Sequence, residues 1–382
     1  MEIIHLVFDK SDAIGKKLTA TVDLLASAQV KLGYNVKLWE LSTKHKDEFQ
    51  NRLYKTILFH LKLFQWSITK EINKAISELG KDTILHLHGG FIPVFFTLAL
   101  QLNKYNIPFV YTLHGTFNKE NIEASGLSKK VYFRMFESGL MNWCAALHFE
   151  GPGEKALIAD PSITNHRKVV YIPNGISNEN ILPPAKYNEA EEPVLGYFGK
   201  LDIKNDGLDI LLKAFAEYKQ HYAGKGILWI VGEGSGKKQL YAFAAKMGIQ
   251  NSVFFKGHVI GLRKFELLNK VNVLVKPSRY EYDTAIILEA ASSSVPAIVS
   301  KETNMGEYIS EYDAGYVLTE NTPQQLSKAL HKWSMEMESY QWEQKRRNAV
   351  KMINERFHWS IIAKEHMKVY ERILAEWPMH KA

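Results

Sequence analysis

Residues 272–300, NVLVKPSRYEYDTAIILEAASSSVPAIVS, contain one complete unit of a parallel α/β sheet. Residues 273–275 are an apolar run, and Pro277 soon ends it because proline cannot continue a central strand. Residues 284–291 are apolar and rich in alanine, which predicts a helix, and residues 297–299 start the next strand. The order of strand, loop, helix and strand predicts one βαβ unit.

Two carboxylates, Glu281 and Glu289, bracket the loop and the first turns of this predicted helix. Asp283 or Thr284 can cap the helix start, where backbone N–H groups and the helix dipole favour an anion. At about 1.5 Å per residue, Glu289 would lie roughly 8 Å along the axis from that start. A diphosphate bound there would have a hydroxyl-accepting carboxylate on each side. The alternative is that Glu281 is a solvated loop residue and Glu289 a surface helix residue.

The PSRYE segment, with seven residues between Glu281 and Glu289, resembles the E-x7-E segment of the retaining family 4 glycosyltransferases. Three more stretches resemble the same family in matching order: VYTLHG, VxxIPNG and GKLDIKNDGLDILLKAF. The resemblance implies the GT-B fold, an α/β architecture of two doubly wound Rossmann-like domains facing each other across a cleft. It also implies transfer of a sugar from a nucleotide sugar with retention of configuration.

Composition agrees with a two-domain globular protein. The chain has 382 residues, of which 46% are hydrophobic and 23% charged. The single cysteine, Cys144, excludes an intramolecular disulfide and fits a reducing compartment. The net charge of +7 favours phosphate-bearing partners or an anionic membrane surface. We find no zinc spacing and no RNA-binding signature in the sequence, so nucleic acid is not an expected partner.

The predicted domains are residues 1–180, which would bind the acceptor, and residues 190–357, which would bind the nucleotide sugar. A helix over about residues 358–382 is expected to return to the first domain, and the proline-containing residues 177–193 form a linker. Residues 49–79 interleave basic and aromatic side chains at helical spacing. They predict an amphipathic helix that either packs on the sheet or contacts a membrane surface.

No apolar run approaches the roughly 18 residues that a membrane-spanning helix needs. Met1-Glu2 opens directly into a predicted strand, so we expect no signal peptide. The expected location is the cytoplasm, with attachment as a peripheral protein to the inner face of the membrane as an alternative.

Two predicted strands end in a histidine followed by a glycine, His88-Gly89 and His114-Gly115. Open α/β sheets bind ligands at the carboxyl ends of their strands, so two histidines at equivalent ends indicate a functional pair. The resemblance assigns His114 to the sugar pocket at the reaction centre and places His88 and Gly89 on the acceptor side. In the loop predicted over residues 9–17, only Gly15 matches the two glycines usual in the family.

The resemblance also implies a donor site in the second domain. Glu281 would hold sugar hydroxyls, Glu289 the ribose hydroxyls, and Lys200 with Lys204 the diphosphate. Gly257 would lie beside the base. The remaining donor-binding candidates are Asp283, Thr284 and Ala285 in the second domain and Gly15 in the first.

The sequence departs from the family pattern at the predicted phosphate clamp. Lys200 stands where arginine is usual, which keeps the charge but loses the bidentate fork. Asp206 stands where lysine is usual, and Asp283 brings a second anion close to the expected phosphates. Lys204 is the candidate cation that would compensate for both.

We therefore expect a metal-independent hexosyltransferase without a cofactor, because the sequence contains no Asp-x-Asp motif and because lysines and a helix dipole would stabilise the leaving diphosphate. Its partners would be a nucleotide sugar and a glycan or lipid-linked acceptor, in polysaccharide or glycolipid synthesis. Asp206 and Asp283 leave open a degenerate homologue that binds sugar nucleotide or a partner without turnover. A sugar-nucleotide epimerase or a phosphorylase of the same architecture is the other alternative.

Overall fold

The computed structural model describes residues 1–9, 13–44, 52–62, 66–115, 131–151, 169–176, 192–279 and 284–377. The chain divides into two compact units. The first comprises Met1–Gly175 and Trp359–Ala382, and the second comprises Ile176–His358. Each unit contains one parallel β-sheet with helices packed on it.

The strands of the first unit are β1 Glu2–Phe8, β2 Asn35–Ser42, β3 Lys55–His60, β4 Thr83–His88, β5 Phe109–Thr112, β6 Ala146–Phe149 and β7 Val169–Tyr171. The strands of the second unit are β8 Val194–Phe198, β9 Ile227–Val231, β10 Val253–Gly257, β11 Val273–Lys276, β12 Ala297–Ser300 and β13 Gly315–Leu318. The α-helices among the described residues are α1 Ala13–Lys31, α2 Lys70–Ser77, α3 Pro93–Lys104, α4 Ser138–Trp143, α5 Leu208–His221, α6 Lys237–Lys246, α7 Leu262–Leu268, α8 Ala285–Ser292, α9 Gly306–Tyr312, α10 Pro323–Glu336, α11 Tyr340–Met352 and α12 Trp359–Glu376.

The seven strands of the first sheet lie in the order β3-β2-β1-β4-β5-β6-β7. Their side chains alternate between two buried faces, as the period of two in a strand requires. One face, with Leu6 and Leu87, packs on α2, α3 and α4. The other face, with Val7 and Val110, packs on α1 and α12. From β1 the chain adds β2 and β3 on one side and then β4 to β7 on the other side. The position between β1 and β4 is therefore the switch point, where such sheets bind ligands.

The six strands of the second sheet lie in the order β10-β9-β8-β11-β12-β13. Leu195 and Tyr197 of β8 pack on one side against Leu211 of α5. Phe198 and Leu274 belong to the core on the opposite side, which includes residues of α8 and α11. Here the switch point lies between β8 and β11, so both units present their strand ends in the same topological manner.

The helix predicted over residues 49–79 is wrong. Lys55–His60 forms the edge strand β3, which pairs with β2, and only α2 is helical among the described residues of this segment. Thr56, Ile57 and Phe59 are β-branched or aromatic and favour a strand, although the lysines around them mimic helical spacing. The segment therefore gives no support to a helix lying on a membrane. No helix in the described ranges is both long and apolar enough to span one.

Candidate functional site

The two predicted histidines of the first unit meet at the carboxyl edge of its sheet. His88 is the last residue of β4, and its Nδ1 lies 3.1 Å from Nε2 of His114, which follows β5. His114 Nδ1 lies 2.8 Å from Oε1 of Glu150, which follows β6. Only 15% of the His114 side chain and 10% of the Glu150 side chain are exposed. Three strand ends thus bring two imidazoles and one carboxylate into a continuous hydrogen-bonded group.

The loops that carry these histidines are held in sparsely populated backbone conformations. His114 has φ of +49° and Phe91 has φ of +56°, values that are uncommon for residues other than glycine. Gly89 has φ of +97°. Such strain persists where the surrounding structure enforces it, and it is concentrated at functional sites.

A buried carboxylate that the sequence analysis missed fixes one of these loops. Glu137 lies in a π-helical turn before α4 and is 1% exposed. It accepts a hydrogen bond of 2.9 Å from the Phe91 backbone N–H and another of 2.9 Å from the Tyr111 hydroxyl. Burial raises the pKa of Tyr111 well above its ordinary value, and the Glu137 charge raises this pKa further. The available signal was a single acid in the otherwise apolar and basic run FRMFE.

Gly15 lies in the first turns of α1 and not in a loop as predicted. The helix begins at Ala13, and the Gly15 carbonyl oxygen accepts a hydrogen bond of 3.0 Å from the Thr19 hydroxyl. Lys16 and Lys17 are exposed on the same helix. The prediction that residues 9–17 form a loop is thus wrong from residue 13 onward, because the helical pattern extends further back than its apolar residues indicate.

Two lysines lie at the carboxyl ends of the strands that flank the switch point of the second sheet. Lys200 follows β8, is exposed, and accepts through its carbonyl oxygen a hydrogen bond of 2.7 Å from Tyr197. Lys276 is the last residue of β11, and its side chain is 3% exposed. The Lys276 ammonium lies 3.5 Å from Asp206 Oδ1 and 4.9 Å from the centre of the Tyr197 ring. The edge therefore holds a buried ion pair beside an exposed cation.

Lys276 supplies the positive charge beside Asp206. The sequence analysis expected Lys204 in this role, but Lys204 is exposed, and its carbonyl oxygen accepts a hydrogen bond of 2.6 Å from Arg279. Lys276 was missed because a lysine ending the run VLVK is indistinguishable in sequence from a solvated strand end. The structure thus shows a cation reaching Asp206 from the strand side.

The loop before α5 is tied firmly to the loop after β11. Arg279 donates two hydrogen bonds, of 2.8 and 2.9 Å, to the Asp209 carboxylate, and its backbone N–H donates one of 2.8 Å to Asn205. Gly207 has φ of +67°, and a Cβ there would lie 1.9 Å from the Pro277 carbonyl oxygen. Only glycine fits, so the Asp206–Lys276 pair rests on a rigid backbone.

The helix start and the second carboxylate of the predicted donor site lie close along the chain. Thr284 occupies the cap position of α8, which begins at Ala285, but the Thr284 side chain makes no capping hydrogen bond. Glu289 Oε1 lies 2.5 Å from the Lys264 ammonium of α7. Glu281 and Asp283 lie outside the described residues.

Gly257, the predicted neighbour of the base, ends β10 with φ of +73°. Its carbonyl oxygen accepts a hydrogen bond of 2.9 Å from the Gly232 backbone N–H at the end of β9. The turn after β10 is thereby anchored at the carboxyl edge of the second sheet.

Comparison with known proteins identifies the family. The family model "Glycosyltransferase Family 4" matches residues 18–180, and "Glycosyl transferases group 1" matches residues 181–351. An uncharacterized glycosyltransferase of Methanocaldococcus jannaschii is 23% identical over 344 residues, which cover 86% of this chain and 88% of that protein.

A second relative is the UDP-Gal:alpha-D-GlcNAc-diphosphoundecaprenol alpha-1,3-galactosyltransferase of Escherichia coli, which is 25% identical over 252 residues, 61% of this chain and 63% of the relative. Among solved structures, HepE of Anabaena in complex with UDP has a TM-score of 0.68 at 16% identity, covering 97% of this chain and 100% of that one. The two family matches adjoin and together span residues 18–351. This chain therefore belongs to the family 4 glycosyltransferases and has the GT-B fold.

Proposed function

We propose that this glycosyltransferase moves a hexosyl group from a nucleotide sugar to a glycan or lipid-linked acceptor, with retention of configuration and without a metal ion. The observation that carries the proposal is the position of Lys200 and Lys276 at the two strand ends that flank the switch point of the second sheet. Ligands of open α/β sheets bind at that place, and two ammonium groups there suit a diphosphate. HepE was solved with UDP, and the name of the Escherichia coli relative specifies a UDP-sugar donor and a lipid diphosphate acceptor.

Lys276 would bind the diphosphate from its buried position at the end of β11. In the free protein its charge is balanced by Asp206, and the pair lies where little water screens it. Charges in such surroundings interact more strongly than in water, so an arriving diphosphate would gain from the ammonium and be opposed by the carboxylate. Lys200 and Lys204 would contribute charge from the exposed side, and the start of α8 would add its backbone N–H groups. The buried cation also weakens the case that Asp206 marks an inactive homologue.

The remaining roles follow the family resemblance. Glu289, oriented by Lys264, would accept hydrogen bonds from the ribose hydroxyls, and Glu281 would accept those of the sugar. His114 would lie at the reaction centre, with His88 and Gly89 on the acceptor side. The leaving diphosphate would help to take the proton of the acceptor hydroxyl on the same face of the sugar.

A membrane-bound acceptor would explain the excess of basic residues. The net charge of +7 attracts anionic surfaces, and a lipid diphosphate is itself anionic. We therefore place the reaction on the cytoplasmic face of a membrane, in the synthesis of a polysaccharide or glycolipid.

The test is to incubate the full chain with a panel of UDP-, GDP- and ADP-sugars and with glycan or undecaprenyl-diphosphate-sugar acceptors. Release of nucleoside diphosphate and a product of retained anomeric configuration, read by NMR, are the expected results. Glu289→Ala should weaken nucleotide binding, whereas His114→Ala should lower turnover and leave that binding nearly unchanged. Tight nucleotide binding without any product would instead support a binding-only homologue, and an epimerised nucleotide sugar would support an epimerase.

A further inference from the structure

One face of the first sheet carries histidines where a core is normally apolar. His5 of β1 is the register partner of His86 of β4, and the alternation of the strands places both on the side covered by α1 and α12. His88 and His148 share that face through their register with Thr112. These four histidines are each at most 4% exposed. Neutral imidazoles can be buried at this density only if their ring nitrogens are hydrogen-bonded.

One series of hydrogen bonds, the Tyr370 series, is balanced when every group is neutral. The Ile172 carbonyl can only accept, so His148 Nε2–H donates to it at 2.8 Å. Thr112 then donates to His148 Nδ1 at 2.7 Å, and His86 Nε2–H donates to the Thr112 oxygen at 2.5 Å. Finally, Tyr370 donates to His86 Nδ1 at 2.5 Å. These four contacts use four protons, one from each side chain.

A second series of hydrogen bonds, the His114 series, needs one more proton than its neutral rings supply. Gln29 Oε1 lies 2.7 Å from His5 Nε2, and His5 Nδ1 lies 2.9 Å from His88 Nε2. His88 Nδ1 lies 3.1 Å from His114 Nε2, and His114 Nδ1 lies 2.8 Å from Glu150 Oε1. An amide oxygen and a carboxylate, which only accept, close the two ends. Three neutral rings offer three protons for four contacts, so the series holds one proton more than neutral rings supply.

The structure turns the carbonyl oxygen of Gln29 towards His5, with Oε1 2.7 Å from His5 Nε2. The Gln29 NH₂ group is buried and has no hydrogen-bond partner among the described residues. An amide turned the other way would donate to His5 and supply the missing proton, so the direction of the His114 series depends on the orientation of Gln29, which the histidine tautomers report.

The environment also decides where the additional proton resides. Burial lowers the pKa of His5 to about 4, against which the Gln29 carbonyl acts in part. Burial lowers the pKa of His88 well below its ordinary value, and the neighbouring histidines lower it further. The additional proton therefore belongs at the partly exposed end, where Glu150 faces His114. The other titratable groups that face the series are His86, His148, His366 and Tyr370.

We propose that His114 and Glu150 share one proton, and that the buried residues His88, His5 and Gln29 keep it at that end by fixing the direction of the hydrogen bonds. Glu150 is thus a positioning residue for His114, and Gln29 acts on the same proton from the opposite end of the series. The functional consequence rests on the proposed place of His114 at the reaction centre. An acceptor hydroxyl arriving there meets a proton-sharing pair whose Nε2–H is already committed to His88.

A metal ion is the competing occupant of this cluster. Ring nitrogens of His5, His86 and His88 lie within 4.8 Å of one another. Both nitrogens of His86, however, already lie 2.5 Å from the hydroxyl groups of Tyr370 and Thr112. Coordination would break those contacts, so the hydrogen bonds favour the proton-sharing arrangement.

The first experiment reads tautomers and does not depend on activity. The full chain, labelled with ¹⁵N-histidine, is followed by NMR from pH 5.5 to pH 8.5. We expect His5 and His88 to remain neutral with the proton on Nε2, and His114 to keep its Nε2 proton throughout. An Nδ1–H form at His5 or His88 would overturn the proposal, because the series would then run towards Glu150. So would one equivalent of zinc, added alone, that shifts His5, His86 and His88 together.

The second experiment compares two buried variants in the transfer assay. Gln29→Met removes the end acceptor, which favours the reversed direction with neutral rings and a charged Glu150. The pH profile of kcat should therefore move by about one pH unit to lower pH, with the donor KM unchanged. Thr112→Val, from the balanced series and without a side-chain contact to Gln29 or His114, should leave the profile in place. An unchanged pH profile of kcat in Gln29→Met, or an equal shift in both variants, would refute the proposal. If the protein has no transfer activity, the histidine tautomers observed by NMR still decide it.

Discussion

Neutralising the Asp206–Lys276 pair tests the proposed phosphate site most directly. Lys276→Met removes an ammonium group that is 3% exposed and leaves Asp206, 15% exposed, without this partner. Breaking a buried pair costs about 3–5 kcal/mol, and the partial exposure of Asp206 puts the expected loss in free energy of unfolding at about 3 kcal/mol. Urea unfolding measures it. Lys345→Met is the matched control, because Lys345 is also a mostly buried, ion-paired lysine but lies on α11.

Asp206→Asn should act in the opposite direction on nucleotide binding. The carboxylate lies 3.5 Å from the ammonium, and a charge-assisted contact of about 2.8 Å beyond it places a phosphate oxygen about 6.3 Å from Asp206. Coulomb's law with an effective dielectric constant of about 20–80 then gives about 0.7–2.6 kcal/mol for one unit charge. We expect nucleoside diphosphate to bind about three- to eightyfold more tightly, as measured by calorimetry.

The double variant separates a structural lysine from a phosphate-binding one. Replacing both members of a buried pair is often neutral for stability, so Lys276→Met with Asp206→Asn should recover most of the loss of the first variant. It should nevertheless bind nucleoside diphosphate at least about tenfold more weakly than Asp206→Asn alone. Equal affinities of these two variants would refute a role of Lys276 at the phosphates. Weaker nucleotide binding by Lys345→Met would show that the effect is one of general destabilisation.

Three further predictions concern the same two units. Gly207→Ala should lower the free energy of unfolding by more than about 2 kcal/mol, because its Cβ clashes with a backbone oxygen, whereas Gly248→Ala, with φ of +70° and open space, should lose about 1 kcal/mol; urea titration compares them. As the pH falls from about 6.5 to about 4, the free energy of unfolding should decrease by about 3 kcal/mol for each of His5 and His148. The unfolded chain binds protons in this range, whereas the folded rings, with pKa values of about 4, stay largely neutral. Their double replacement by glutamine should flatten that pH dependence. Glu289→Gln should weaken binding of nucleoside diphosphate about tenfold but leave inorganic pyrophosphate, which lacks ribose, unaffected.

The strands of the second unit could be predicted closely because their signals are local. Residues 194–198 and 227–231 are short apolar runs followed by glycine, and β8 and β9 occupy those residues. The meeting of His88 with His114 was also predictable, since both follow strands that end at one edge of a parallel sheet. The edge strand β3 was not, because interleaved lysines imitate the spacing of an amphipathic helix.

The partners of the site residues could not be predicted from local pattern. Asp206 and Lys276 are separated by 70 positions, and only the adjacency of β8 and β11 brings them together. His114 and Glu150 are separated by 36 positions and meet because β5 pairs with β6. Pairings of this kind depend on strand order, which a single sequence leaves open.

The position of α12 has a consequence for synthesis on the ribosome. The second unit is one continuous segment, Ile176–His358, whereas the first is completed only by residues beyond it. Tyr370 of α12 is fully buried against the first sheet and hydrogen-bonded to His86. During translation, all residues of the second unit therefore leave the ribosome before the last residues of the first unit do. Until translation delivers α12, the part of this face of the first sheet that α1 does not cover stays exposed, and this interval is the period in which chaperones would be needed.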